Sequence, residues 1–238
     1  MSIKKHLNNV VLLHGAVGAE GQLIPLEKAL EARFNVYKMN FRGHGGKVFD
    51  GDFSIKNFSD DLLHFLNENN LDKVSVFGYS MGGYVACYFA SLYPERVTSI
   101  FTLGTKWLWS KETAQKESRF LDPKAIEEKV PAFAEVLRKR HLPNDWKETL
   151  KHTEGLLKNL GDNPPLTEEV FHKLSLPVTL SVGEADNVVS VEETQQVSQW
   201  LPNASLMVFP DTQHPIEKIN LSNLACEIGD FFIKTGNI

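Results

Sequence analysis

Apolar runs of strand length alternate along the chain with longer stretches in which apolar residues recur every three or four positions. The runs at 9–14, 35–41, 73–79, 97–104, 177–183 and 204–210 read as six strands. Helical patterns fall at 21–34, 55–70, 81–94, 190–201 and 215–233. Leu23, Leu26, Ala29 and Leu30 share one face of the first. Ile55, Phe58, Leu62, Phe65 and Leu66 share one face of the second. Pro94 stops the third, and Ser190 stands where an N-cap belongs for the fourth. Strands that alternate with helices argue for a parallel sheet covered on both faces, and strands apolar nearly throughout fit burial on both sides.

The alternation lapses at 105–173, where no strand pattern occurs. At least two amphipathic helices are expected there. One carries Ile126, Val130, Phe133 and Leu137 in register, and the other carries Trp146, Leu150, Leu157 and Leu160. The turn sequence at 161–166 then leads to a third, short helix. No Pro-, Gly- or Ser-rich linker sets the block off, so it reads as an insertion: a core of 1–104 and 174–238, with a helical cap at 105–173.

A length of 238 residues suits one domain carrying such an insertion. The net charge of −5 and the absence of any basic block argue against a nucleic-acid partner. No apolar run approaches the ~18 residues of a membrane span. The apolar run near the start, Val10–Leu13, is too short for a signal-peptide core and has no small-residue cleavage site after it. A cytoplasmic location is the simplest expectation. Cys87 and Cys226 have neither metal nor redox spacing and are expected as small buried hydrophobes.

The chemistry concentrates at Gly78, Ser80 and Gly82, a G-x-S-x-G pattern. Alone it arises by chance in roughly one chain in ten of this length. Here it lies between a predicted strand and a predicted helix, the setting in which a strained turn presents a serine as nucleophile over a helix N-terminus. A serine hydroxyl needs a base, and the base an orienting acid. Of eight histidines, His214 lies after the last predicted strand, at the same end of the sheet as Ser80. His141, His152 and His172 fall on insertion helices and are expected to be solvated. Asp186, three residues past Gly183 on the loop after the preceding strand, is preferred as the acid over Glu184. Asp211 suits a turn-capping role better. The amides of Met81 and Ala16 are the expected oxyanion donors. His14, Arg42 and His44 read as props of the neighbouring loops.

Taken together, the segments at 14–15 (HG), 42–45 (RGHG), 78–83 (GYSMGG), 183–189 (GEADNVV) and 213–214 (QH) make the chain resemble the α/β-hydrolase superfamily along nearly its whole length. The resemblance implies a Ser80–Asp186–His214 triad, an oxyanion hole at Ala16 and Met81, a helical cap, and no cofactor or metal. About six strands are expected, all parallel. Asn40 stands where members often have Asp, and Thr212 where many have Gly.

The triad implies acyl transfer to Ser80 and hydrolysis by water, with a small-to-medium apolar ester as the default substrate. Trp107, Trp109, Phe120, Phe133 and Trp146 are the candidates to line its pocket; most are expected in the core of the cap, and one or two against the acyl group. A thioesterase or lyase could use the same triad. A proline iminopeptidase or a ligand receptor on this scaffold is a weaker alternative. The expected partner is a small-molecule ester, with no nucleic acid and no membrane span, and the chain is expected as a monomer or homodimer.

Overall fold

Strands form where the apolar runs lie: β1 (Asn9–Leu13), β2 (Asn35–Met39), β3 (Val74–Tyr79), β4 (Val97–Leu103), β5 (Val178–Gly183) and β6 (Ala204–Phe209). The computed structural model describes residues 7–236. The six strands make one sheet in the order β2-β1-β3-β4-β5-β6, with every neighbouring pair parallel. The helices are α1 (Ile24–Leu30), α2 (Ile55–Glu68), α3 (Met81–Leu92), α4 (Lys111–Ser118), α5 (Pro123–Lys129), α6 (Pro131–His141), α7 (Trp146–Asp162), α8 (Glu168–Lys173), α9 (Val191–Trp200) and α10 (Leu221–Gly236). Ser190 caps α9 as expected, its hydroxyl accepting the Glu193 amide.

The two-residue period of a strand sends alternate side chains into two cores. Val10 and Leu12 of β1, with Phe77 and Phe101, pack against Leu26, Leu30, Leu224 and Phe232 of α1 and α10. Val11 and Leu13, with Val76 and Ile100, pack against Phe58, Leu62, Val85 and Val197 of α2, α3 and α9. Each such side chain contributes roughly 1.5–3 kcal/mol by leaving water. The strand order reverses between β1 and β3, which opens a crevice at the carboxyl ends of those two strands.

Three expectations are corrected. The register of Ile126, Val130, Phe133 and Leu137 does not run through one helix. Pro131 breaks it, because the residue before a proline is driven out of helical geometry, and Val130 stands at φ −139°. Ile126 and Leu137 are buried while Val130 and Phe133 are exposed. The last helix begins at Leu221 and not at Pro215, since Asn220 caps it through the Asn223 amide and residues 216–218 form a separate 3-10 turn. Cys87 is buried but Cys226 is exposed, on the outer side of α10. Among the described residues no helix is long and apolar enough to cross a membrane.

Candidate active site

Ser80 joins β3 to α3 with φ 52° and ψ −120°, a conformation that non-glycine residues avoid. The turn is held from both sides. The Ser80 amide donates to Leu103 O at 2.8 Å, and the Thr105 hydroxyl donates to Ser80 O at 2.9 Å. The flanking glycines are needed for closeness. A β-carbon on Gly78 would meet Gly82 C at 2.6 Å, and one on Gly82 would meet Leu13 O at 2.6 Å. The strained turn therefore raises the hydroxyl at the N-terminus of α3, where the helix dipole favours negative charge.

His214 follows β6, and its Nδ1 lies 2.7 Å from Asp186 Oδ2. Only 2% of the Asp186 side chain and 14% of the His214 side chain is exposed. The amides of Val188 and Val189 donate to Asp186 Oδ1 at 2.8 and 2.9 Å, which holds the carboxylate toward the imidazole. The Tyr79 hydroxyl donates to His214 O at 3.1 Å and steadies the same loop. Glu184 and Asp211 stay at the surface, with the Asp211 amide donating to Glu184 Oε2 at 3.4 Å. Ser80 and His214 line one cavity, and no hydrogen bond joins their side chains; such bonds often tighten only with substrate bound.

Ala16 and Met81 line the same cavity. The Met81 amide is the first of its helix and has no partner within it. The loop that carries Ala16 is fixed by histidines. The His14 Nδ1–H donates to Gly15 O at 2.8 Å, and its Nε2 accepts the Phe41 amide at 3.2 Å. This makes the ring neutral, and burial pushes its pKa down to about 3. Val17, a β-branched residue at φ 49°, has a carbonyl held by the end of α6: Arg140 Nη1 and His141 Nε2 both donate to it at 3.1 Å. His141 Nδ1 accepts the Gly45 amide at 3.2 Å. The expectation of a solvated His141 is corrected, since its ring is fully buried and burial lowers its pKa to about 4. His152 is partly buried and His172 is largely exposed. Arg42 grips Asp61, its Nη2 donating to Oδ1 at 2.8 Å, and Asn40 Oδ1 accepts the Glu20 amide at 2.8 Å.

The cavity has a volume of about 330 Å³, at the small end of ligand pockets. Trp109, Phe120 and Phe133 line it. Trp107 and Trp146 do not. Trp107 is buried against Tyr84 and Phe171, and Trp146 packs with Ile126, Leu137 and Leu150. Trp107 belongs to the main core on the α2–α3 face of the sheet and Trp146 to a small separate core, which corrects their assignment to the pocket. Sequence reading missed Gln22, Lys106, Arg140 and Glu217, which also face the cavity. Leu157 and Leu160, recognised by periodicity as helix core, line it too.

A family model described as the alpha/beta hydrolase fold matches residues 8–165. The chain belongs to the alpha/beta hydrolase family. It is 28% identical, over 87% of its length and 84% of the relative's, to a Bacillus subtilis (strain 168) protein named as a candidate 2-succinyl-6-hydroxy-2,4-cyclohexadiene-1-carboxylate synthase. It is 31% identical to the pimeloyl-[acyl-carrier protein] methyl ester esterase of Pseudoalteromonas atlantica, over 87% of each chain. Among solved structures it matches a thermophilic esterase from Thermogutta terrifontis with a TM-score of 0.78 at 22% identity, covering 96% of this chain and 90% of that one.

Proposed function

We propose that this chain is a serine hydrolase that cleaves esters of small-to-medium apolar acyl groups through an acyl-enzyme on Ser80. The observation that carries this reading is the convergence of a positive-φ serine and an aspartate-bound histidine on one cavity. His214 removes the Ser80 proton as the hydroxyl attacks the ester carbonyl. The Ala16 and Met81 amides receive the oxyanion. His214 then protonates the leaving alcohol and activates water to release the acid. Asp186 fixes the His214 tautomer with Nδ1 protonated. In this reading residues 105–173 form a cap over a core of 1–104 and 174–238, and α7 roofs the acyl site with Leu156, Leu157 and Leu160.

The ester-cleaving activity named for the Pseudoalteromonas relative supports this reading. The synthase name of the Bacillus relative favours one alternative, a lyase built on the same three side chains. p-Nitrophenyl esters of increasing chain length separate the two. The hydrolase releases nitrophenol with multiple turnovers, and Ser80→Ala loses that rate by at least about a thousandfold. Full hydrolysis by Ser80→Ala, or no labelling of the folded wild type by a fluorophosphonate, overturns the proposal.

A further inference from the structure

The cavity changes chemistry from one side of Ser80 to the other. Ile55, Tyr84, Leu156, Leu157 and Leu160 form an apolar wall, and all five belong to the core on the α2–α3 face of the sheet. The opposite wall rises from the α1–α10 face. Gln22 precedes Leu23, and Glu217 follows Ile216, both packed in that second core. Gln22 Nε2 donates to Glu217 Oε1 at 2.6 Å, and Arg140 Nη2 lies 3.5 Å from the same oxygen. Arg140 is anchored on Val17 O beside the oxyanion loop, and only 14% of its side chain is exposed. These three groups therefore form one bonded cluster beside Ala16.

What this cluster can hold follows from its unused capacity. The Gln22 carbonyl oxygen is taken by the Ala19 amide. Glu217 Oε2 remains free to accept, and the Arg140 guanidinium has more N–H groups than the bonds it makes. One carboxylate and one guanidinium leave no net charge. A ligand that both donates and accepts without charge satisfies both. A carboxylate there faces Glu217, and an alkyl group covers polar atoms without pairing them.

We propose that Gln22, Arg140 and Glu217 form a leaving-group subsite for alcohols bearing free hydroxyl groups, with the acyl chain seated on the Leu156–Leu160 wall. This rests on the hydrolase reading above. It is tested with butanoyl esters of glycerol and of ethanol. The wild type is expected to favour the glycerol ester about tenfold in kcat/KM, the factor that one or two added hydrogen bonds give. In Glu217→Leu the ratio of the two rates falls to within about twofold of one, and in Gln22→Met, which frees Glu217 from its partner, it falls part of the way. Circular dichroism verifies that both variants are folded. A wild-type ratio near one, a ratio unchanged in both variants, or preference for a monosuccinate ester overturns the subsite. If Ser80→Ala loses both esters while the ratio is near one, the subsite fails and the hydrolase stands. Full hydrolysis by Ser80→Ala sinks the reading beneath it, and a folded wild type that cleaves neither ester overturns both.

Discussion

Gly104 follows β4 at φ +59°, against the hydrogen-bonded side chains of Asp186 and His214. A β-carbon there would lie 3.2 Å from Asp186 Oδ2 and 3.3 Å from His214 Cε1. Gly104→Ala must therefore adopt left-handed backbone, at roughly 1–2 kcal/mol, and press on the hydrogen-bonded Asp186 and His214 side chains as well. Its kcat on a p-nitrophenyl ester is expected to fall at least about tenfold with little change in KM, and its melting temperature by a few degrees. Unchanged kcat in a folded Gly104→Ala contradicts the tight placement of Asp186 and His214. Ser80 was legible because a glycine spacing between strand and helix has one geometric use, and Asp186 and His214 because their loops follow the last two strands. Trp107, in the loop after β4, and Trp146, at the start of α7, were not, because an aromatic side chain declares that it is apolar and does not say which cavity or core receives it. Glu217 was hidden in a run that reads as one helix until Asn220 is recognised as its cap.

Among the elements, the end of α6 is what ties residues 105–173 to the loops that follow β1 and β2. Its last turn reads Arg138, Lys139, Arg140 and His141, a charge run that normally marks a solvated face. In the fold only the first two face water, while Arg140 and His141 reach under the helix to the Val17 carbonyl and the Gly45 amide. Whether a helix end is solvated or docked depends on where the preceding break aims it, and Pro131 sets that direction. The strained Val17 peptide is next to Ala16, so under the proposed mechanism His141 is a positioning residue for the loop that carries Ala16. His141→Leu is expected to lower kcat about tenfold, with KM within about threefold of wild type, and to slow fluorophosphonate labelling in parallel. A loss confined to thermal stability, with kcat intact, refutes the positioning role. The strands and helices of the core were legible from period alone, because burial on two faces of a sheet imposes it. Residues 105–173 were less so, because their helices pack on one another and on the loops with no fixed frame.

For the molecule as a whole, three fully buried imidazoles stand together where the end of α6 meets the loops after β1 and β2: His14, His44 and His141, with ring centroids 5.1 and 5.8 Å apart along the row. Burial lowers the pKa of all three, His14 to about 3, His141 to about 4 and His44 well below the usual value. The folded state thus binds no proton at these rings in the range where the unfolded chain takes them up, near pH 6.5. Stability is therefore full above that value and is lost as pH falls through 6.5 toward the folded pKa values. From pH 8 to pH 5 His14 and His141 each remove about 2 kcal/mol, and His44 acts in the same direction. Against a typical total of about 5–15 kcal/mol this is a large share, so the urea midpoint is expected to drop steeply across that interval. His44 gives the cleanest control. Its Nδ1 donates to Arg42 O, its Nε2 has no partner, and its ring stacks on Phe53. His44→Phe removes one titrating ring while keeping that stack, and it should flatten the pH dependence measurably even if the variant is less stable at pH 8. A urea midpoint that stays level from pH 8 to pH 5 in the wild type rules out neutral burial of the row, and an unaltered slope in His44→Phe removes His44 from it.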